Sequence, residues 1–179
     1  MSLNNKKKAE YHRLVEKYAN DLYKFSYRMC GDPEAAEDIL QETFYEAWRS
    51  LESLKDKNKV KAWLFQILRY RYAHWVRDKV RHSKVNLSLD QIENSLSLPD
   101  PDILKSLSNK EILQKALNGL DNRYKEPFLL VFLQNFSCKE AAEHLGVPLG
   151  TVLSRIHRAR VFLRKSVTKL MDLEQNESL

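Results

Sequence analysis

Residues that break helices are scarce in this 179-residue sequence, which has only four glycines and five prolines. Leucine, lysine and glutamate are abundant instead, and this composition favours helices. Cysteine is also rare: Cys30 and Cys138 lie far apart in the sequence and in no metal-ligand spacing. We interpret both as small buried residues of a protein that works in a reducing compartment.

Long apolar runs are absent as well. The longest, residues 128–133, is far too short to span a bilayer. Lys6, Lys7 and Lys8 are followed by no apolar stretch, so the sequence predicts neither a signal peptide nor stable membrane insertion. We therefore expect a cytoplasmic protein.

Aromatic residues are missing between Trp75 and Tyr124. Within that gap, "SKVNLSLDQIENSLSLPDPD" (83–102) is rich in Ser, Asn and Asp and closes with two prolines. Because aromatic side chains supply much of the buried area of a core, this segment predicts a flexible tether. The sequence thus predicts an all-α protein with two small helical domains, residues 8–82 and 107–171, and a linker over residues 83–106.

Arrangements of catalytic or metal-ligating residues are also absent. The five histidines are scattered, and no glycine-rich phosphate loop, His/Cys cluster or G-x-S-x-G motif occurs. We therefore predict no enzyme activity, no metal and no cofactor. A helical hydrolase with carboxylates paired between helices is the weakest alternative, and a screen for metal-dependent activity would reveal it.

What the chain does have is positive charge, and much of it lies in one motif near the C-terminus. The net charge of +6 favours a polyanionic partner. In "CKEAAEHLGVPLGTVLSRIHRARVFL" (138–163), Gly146 and Pro148 separate two helical patterns, which predicts a helix–turn–helix. The second pattern has an apolar stripe of Val152, Ile156, Ala159 and Leu163. That stripe leaves a polar face suited to reading base edges: Thr151, Ser154, Arg155 and Arg158. The alternative is a helical hairpin with a solvated basic face.

The first predicted domain contains an acidic helix. "GDPEAAED" (31–38) predicts its start, with Asp32 as the N-cap and Pro33 in the first turn. Its core side is predicted to comprise Ile39, Leu40, Thr43, Phe44, Ala47 and Trp48. The opposite side carries Asp38, Gln41, Glu42 and Tyr45. This face is either simply solvated or a docking surface for a basic partner helix.

A third long helix is predicted from about residue 59 to residue 81, with Trp63, Ile67 and Tyr70 roughly in line. Its end, "RYRYAHWVRDKVRHSK" (69–84), interleaves cations with aromatic rings, a composition typical of single-strand binding. Tyr72 or Trp75 could instead complete the core.

Together these motifs resemble the extracytoplasmic-function (ECF) sigma factors of the sigma-70 family, the compact alternative initiation subunits of bacterial RNA polymerase. "AEDILQETFYEAW" (36–48) is similar to the family's core-polymerase-binding segment, and "VKAWLFQIL" (60–68) to the start of its promoter-melting helix. "GVPLGTVLSRIHRARVFL" (146–163) is similar to its second DNA-binding domain. One departure stands out: the family usually has asparagine after Arg69, where this chain has Tyr70.

The resemblance implies a sigma factor that binds core RNA polymerase, recognises promoter DNA as duplex and as single strand, and is held inactive by an anti-sigma partner. The polymerase-docking residues would be Asp38, Gln41, Glu42, Phe44 and Tyr45. The first domain would recognise and melt the minus-ten element through Leu54, Lys55, Asp56, Lys57, Asn58, Lys59, Arg69, Tyr70, Arg71 and Arg77. The second domain would read the minus-thirty-five element through Thr151, Ser154, Arg155 and Arg158.

The sequence allows an alternative function for the chain and two positions for Tyr70. The chain could instead be a stand-alone dimeric helix–turn–helix regulator, which would bind duplex DNA tightly by itself. That function needs a dimerisation helix, which we do not find, and gives the acidic face no role. Tyr70 could either line the path of the opened strand or belong to the core.

Overall fold

A computed structural model describes residues 3–82 and 110–176, with side chains at residues 5–79 and 110–173. Within these ranges the regular elements are all helices. The chain divides into two compact units, Met1–Leu87 and Ser88–Leu179. The predicted all-α fold with two helical units is therefore confirmed, whereas the predicted linker, residues 83–106, lies outside the described residues.

The first unit is built from α1 (Leu3–Cys30), α2 (Pro33–Ser50) and α3 (Val60–His82). Two short 3₁₀ helices, Leu51–Ser53 and Lys57–Lys59, connect α2 to α3. α2 packs against both α1 and α3. Its position leaves one side of α2 free, and that side carries the predicted acidic face.

The start of α2 follows from its first residues. The Asp32 carboxylate accepts hydrogen bonds from the backbone N–H groups of Glu34 (3.0 Å) and Ala35 (3.3 Å). Pro33 occupies the first helical position, where its missing N–H costs nothing. Gly31 ends α1 in a left-handed conformation, with φ of +73°. The prediction of an N-cap at Asp32 is confirmed.

The core of the first unit contains most of the core residues predicted for α2, together with residues of α1. The buried apolar side chains include Tyr18, Leu22, Phe25, Met29, Ile39, Phe44 and Ala47. Thr43 is also buried, and its hydroxyl donates to the carbonyl of Ile39 at 2.7 Å. Leu14, Leu40 and Trp48 are only half-buried.

On α3, the three residues predicted to lie in line, Trp63, Ile67 and Tyr70, do not form the core face. Trp63 and Ile67 are half-buried, and Tyr70 is 59% exposed. The buried side chains are Leu64, Phe65, Leu68 and Tyr72. At about 100° per residue these four lie on the opposite side of α3 from Tyr70. Tyr70 is therefore not a core residue.

The second unit contains α4 (Lys110–Asn118), α5 (Asn122–Phe132), α6 (Cys138–Leu145) and α7 (Leu149–Asn176). α7 packs against each of the other three helices. Its buried stripe, Val152, Ile156, Ala159 and Leu163, is the predicted one, and none of these side chains is more than 7% exposed. α7 therefore serves as the spine of this unit.

The helix–turn–helix is confirmed at α6 and α7. Ser137 and Glu140 form a reciprocal capping box at the start of α6, a feature that our sequence analysis missed. Gly146 ends α6 with φ of +66°, and the N–H of Val147 donates to the carbonyl of Ala142 at 3.1 Å. Pro148 directly precedes α7, and its carbonyl accepts from the N–H of Val152.

The two cysteines are free thiols, and each is half-buried rather than fully buried. The Cys30 thiol donates to the carbonyl of Asp32 at 3.2 Å. Burial raises the pKa of this thiol above its ordinary value.

Candidate functional site

The outer face of α2 presents acidic and amide groups to solvent. Asp38, Gln41 and Glu42 are exposed, and Tyr45 is 62% exposed. Spacings of three, four and seven residues bring these side chains onto one side of a helix. The structure thus brings four of the five predicted docking residues together.

Phe44, the fifth predicted docking residue, lies behind this face and is only 8% exposed. It helps to line a shallow apolar groove of about 450 Å³ between α1 and α2, together with Tyr11, Val15, Ala19, Leu40, Gln41, Tyr45 and Trp48. The Tyr11 hydroxyl donates to the carbonyl of Phe44 at 3.2 Å, and burial raises the pKa of that phenol. The acidic face therefore borders an apolar groove that the sequence pattern did not reveal, because three of its eight lining residues belong to α1.

The polar loop between α2 and α3 is held at two points. The Asp56 carboxylate accepts from the backbone N–H of Asn58 at 2.9 Å. The ammonium of Lys57 lies 2.7 Å from the carboxylate of Glu10 on α1. Lys55 and Lys59 are exposed, as are Asp56, Lys57 and Asn58, while Leu54 is half-buried.

The predicted strand-opening residues of α3 lie on different sides of that helix. Tyr70 and Arg77 are exposed on the same outer face, because they are seven residues apart. Arg69 and Arg71 are half-buried and flank this face. The structure thus places two of the four on a common exposed surface.

Arg71 is oriented towards α2. Its guanidinium lies 2.8 Å from the carboxylate of Glu46 and 3.8 Å from that of Glu42. The same guanidinium lies 5.6 Å from the centre of the Tyr70 ring. Its Nε is buried and without a hydrogen-bond partner. Arg71 therefore connects the predicted docking helix with the predicted strand-opening helix.

The other aromatics of α3 differ in burial. Tyr72 is 8% exposed and its hydroxyl donates to the carbonyl of Met29 at 3.4 Å, so it completes the core. Trp75 is half-buried and stacks on Tyr72 with ring centroids 5.8 Å apart. Lys79 lies 4.7 Å from the Trp75 ring. Of the interleaved aromatics, Tyr70 is the one most available to a nucleic acid.

The predicted reading residues of α7 lie in its first three turns. Ser154 and Arg158 are exposed, and Thr151 and Arg155 are half-buried. The Arg158 guanidinium donates to the hydroxyl of Tyr124 on α5, at a distance of 3.4 Å. All four lie off the buried stripe and beside one another, as the sequence predicts.

Two exposed leucines on the same turns were not predicted as functional. Leu149 is 44% exposed and Leu153 is 50% exposed. Their spacing of four residues, at the edge of the apolar stripe, was the available signal.

Within the part of the chain that the structure describes, no helix is both long and apolar enough to cross a membrane. In the same part, no three His, Cys, Asp or Glu residues are grouped so that they could hold a metal ion.

Comparison with known proteins connects this geometry with a family. The family described as Sigma-70 region 2 matches residues 14–82, and that described as Sigma-70, region 4 matches residues 110–163. The chain is 31% identical over 170 residues to the ECF RNA polymerase sigma factor SigW of Bacillus subtilis, covering 88% of each chain. It is 33% identical over 156 residues to SigM of the same organism, covering 84% of this chain and 91% of that one.

A solved structure agrees with these matches. The sigma factor RpoE of Bartonella quintana, solved with the anti-sigma factor NepR, superposes with a TM-score of 0.72 at 26% sequence identity. That match covers 89% of this chain and 97% of the RpoE chain. The matches give no support to a stand-alone dimeric regulator, and the family is one of transcription initiation factors. The chain belongs to the extracytoplasmic-function sigma factors, the sigma-70 family subunits with which bacterial RNA polymerase recognises promoters and starts transcription.

Proposed function

We propose that the outer face of α2 is the surface by which this sigma factor docks on core RNA polymerase. The observation that carries the proposal is the exposure of Asp38, Gln41, Glu42 and Tyr45 on one side of a helix whose other sides pack against α1 and α3. Phe44 supports this face from below and lines the adjoining groove. Charged and amide groups beside an apolar groove suit a basic, amphipathic partner helix.

The loop at residues 54–59 and the outer face of α3 form the surface that recognises and opens the minus-ten element. Lys55, Lys57 and Lys59 supply cations for the backbone of the strand, and the loop takes up an extruded base, a role carried over from the sigma-factor family. Tyr70 and Arg77 continue this surface along α3. Arg69 and Arg71 border it, and Arg71 also fixes α3 to α2 through Glu46.

The N-terminal turns of α7 read the minus-thirty-five element. Thr151, Ser154, Arg155 and Arg158 have the hydroxyl and guanidinium groups that form hydrogen bonds with base edges or phosphates in the major groove. The helix–turn–helix presents these turns away from the core of the second unit.

The two reading surfaces belong to separate domains, which we assign to residues 8–82 and 107–171 with a linker over residues 83–106. RpoE was solved in complex with an anti-sigma factor. By analogy, an anti-sigma partner holds this chain inactive in the cytoplasm until it is released. The chain has no catalytic role of its own in this scheme, because the polymerase forms the RNA.

Reversing charge on the docking face tests the first of these assignments. A variant with Asp38→Lys and Glu42→Lys should lose co-elution with core polymerase, because juxtaposed like charges cost several kcal/mol at an interface. The same change of charge at Glu111 and Asp172, which are exposed in the second unit, should leave co-elution intact. A folded double variant of α2 that binds polymerase normally would contradict the assignment.

A further inference from the structure

Leu149 and Leu153 form an exposed apolar pair on the first two turns of α7. Leu149 is 44% exposed and Leu153 is 50% exposed, whereas the core stripe of the same helix is buried. Residues four apart on a helix have Cβ atoms about 5–6 Å from each other, so the two side chains lie side by side. Both leucines therefore lie outside the core in which the apolar stripe of this helix is buried.

The surroundings of the pair are polar and cationic. Ser154 is exposed and lies about 100° around the helix from Leu153, Arg158 lies beyond it at about 140°, and Arg155 lies on the far side of the helix at about 160°. From residue 149 to residue 171 the sequence contains no Asp or Glu, while it contains Arg155, Arg158, Arg160, Arg164, Lys165 and Lys169. This part of the helix carries positive charge and no negative charge. It therefore favours a polyanion as its partner over a protein surface that has no acidic groups.

The major groove of DNA offers one apolar group on its base edges, the 5-methyl group of thymine. We propose that Leu153, packed beside Leu149, contacts the methyl group of a thymine in the upstream promoter element and makes thymine preferred at one position. The proposal rests on the function proposed for the α7 face and adds an apolar contact to its polar ones.

The expected change in DNA affinity follows from the thymine methyl group that the contact would bury. Removing one methyl group from water corresponds to about a fourfold change in affinity. Leu153 is the better placed of the two leucines, because it is the more exposed and lies closer around the helix to Ser154 and Arg158 than Leu149 does. Leu149, at the first position of the helix, lies beside Leu153 on the preceding turn.

The experiment uses holoenzyme made from core polymerase and the full chain. A promoter duplex is first selected by wild-type holoenzyme from a library randomised over the upstream element. Each thymine of that element is then replaced in turn by deoxyuridine, which lacks only the 5-methyl group. We expect one replacement to weaken binding by the wild type about fourfold. Leu153→Ala should bind the thymine and deoxyuridine duplexes equally well, and Leu153→Met should retain the preference.

Leu173→Ala is the matched control. Leu173 is also 50% exposed on α7 but lies 20 residues further along, about 30 Å from Leu153. This variant should keep the wild-type preference for thymine. The far-UV circular dichroism of Leu153→Ala should equal that of the wild type, because the side chain is half exposed.

Four outcomes would overturn the inference: a selected element without a preferred thymine, no deoxyuridine effect in the wild type, a preference that persists in Leu153→Ala, or a loss of polymerase binding by Leu153→Ala. The last would identify the leucines as a protein contact.

Arg155→Ala distinguishes failure of the proposed reading face from failure of the methyl contact alone. If it leaves promoter binding unchanged, the proposed reading face itself fails. If it weakens binding while Leu153 has no effect on the thymine preference, only the methyl contact fails.

Discussion

Tyr45 and Tyr70 are two exposed tyrosines of the first unit, 62% and 59% exposed, that we assign to different tasks. Opening a duplex costs about 1.4 kcal/mol per stacked step, and stacking a base on an aromatic ring returns about 1–3 kcal/mol. Tyr70→Ala should therefore reduce permanganate-detected promoter melting and leave polymerase binding unchanged. A promoter with a premelted bubble should restore most of its transcription.

Tyr45→Ala is the control for Tyr70, since it removes an equally exposed ring from α2. It should weaken polymerase binding and leave melting by the assembled holoenzyme unaffected. Tyr70→Phe should behave as the wild type if stacking is the relevant contact. Normal melting by a holoenzyme that carries Tyr70→Ala would exclude Tyr70 from the path of the strand.

Arg155 distinguishes base reading from phosphate binding. If its guanidinium forms a bidentate pair with a guanine edge, Arg155→Ala should cost about 1–3 kcal/mol and relax the preference at one base pair. A phosphate contact would instead weaken all promoters alike and reduce the salt dependence of binding by about one unit. Binding to a promoter library at several salt concentrations separates these cases.

Arg164→Ala removes the same charge from an exposed position about two and a half turns further along α7. We expect no change of base preference in this variant. Equal effects of the two substitutions on base preference would show that Arg155 does not read a specific base.

At the scale of elements, Gly146 in the turn between α6 and α7 and Gly150 in the first turn of α7 have opposite backbone requirements. Gly146 has φ of +66°, which costs a residue with a Cβ about 1–2 kcal/mol, while nothing lies within 4 Å of the added atom. Gly150 is helical and equally unobstructed. Gly146→Ala should therefore destabilise the second unit, and Gly150→Ala should stabilise it by up to about 1 kcal/mol. Urea unfolding followed by far-UV circular dichroism measures both effects.

The contrast between α7 and α3 explains what the sequence could predict. The stripe of α7 was predictable because its apolar and polar positions separate cleanly, with Val152 and Ile156 on one side and Ser154 and Arg158 on another. α3 has aromatic residues on several sides, so its sequence left open whether Tyr70 belongs to the core. The aliphatic Leu64 and Leu68 mark the true core face.

Tertiary contacts could not be predicted in the same way. Glu46 and Arg71 are 25 residues apart in the sequence, and only the packing of α2 against α3 brings them to 2.8 Å. The groove beside Phe44 likewise needs residues from α1. The capping box at Ser137 and Glu140, by contrast, is a local pattern, a serine followed three residues later by a glutamate, and "SCKE" (137–140) contains it in the sequence itself.

At the scale of the whole molecule, the three tryptophans, Trp48, Trp63 and Trp75, all lie in the first unit. Tryptophan fluorescence therefore monitors that unit alone, while circular dichroism monitors both. If the units fold independently, Gly146→Ala should shift the unfolding transition seen by circular dichroism and leave the fluorescence midpoint unchanged. Midpoints that shift together would indicate a single cooperative molecule.

The guanidinium of Arg71 contacts two carboxylates that have different surroundings. The pair with Glu46 is short and half-buried, whereas the Glu42 carboxylate is 3.8 Å away and 61% exposed. On the proposed docking face, a polymerase group that engages Glu42 would compete with Arg71, whose guanidinium also lies 5.6 Å from the centre of the Tyr70 ring. If polymerase binding at Glu42 changes the affinity for a DNA strand at Tyr70, thermodynamic reciprocity requires that the strand changes the affinity for polymerase by the same factor. One arginine side chain would thus make assembly of the holoenzyme and occupancy of the opened strand energetically interdependent.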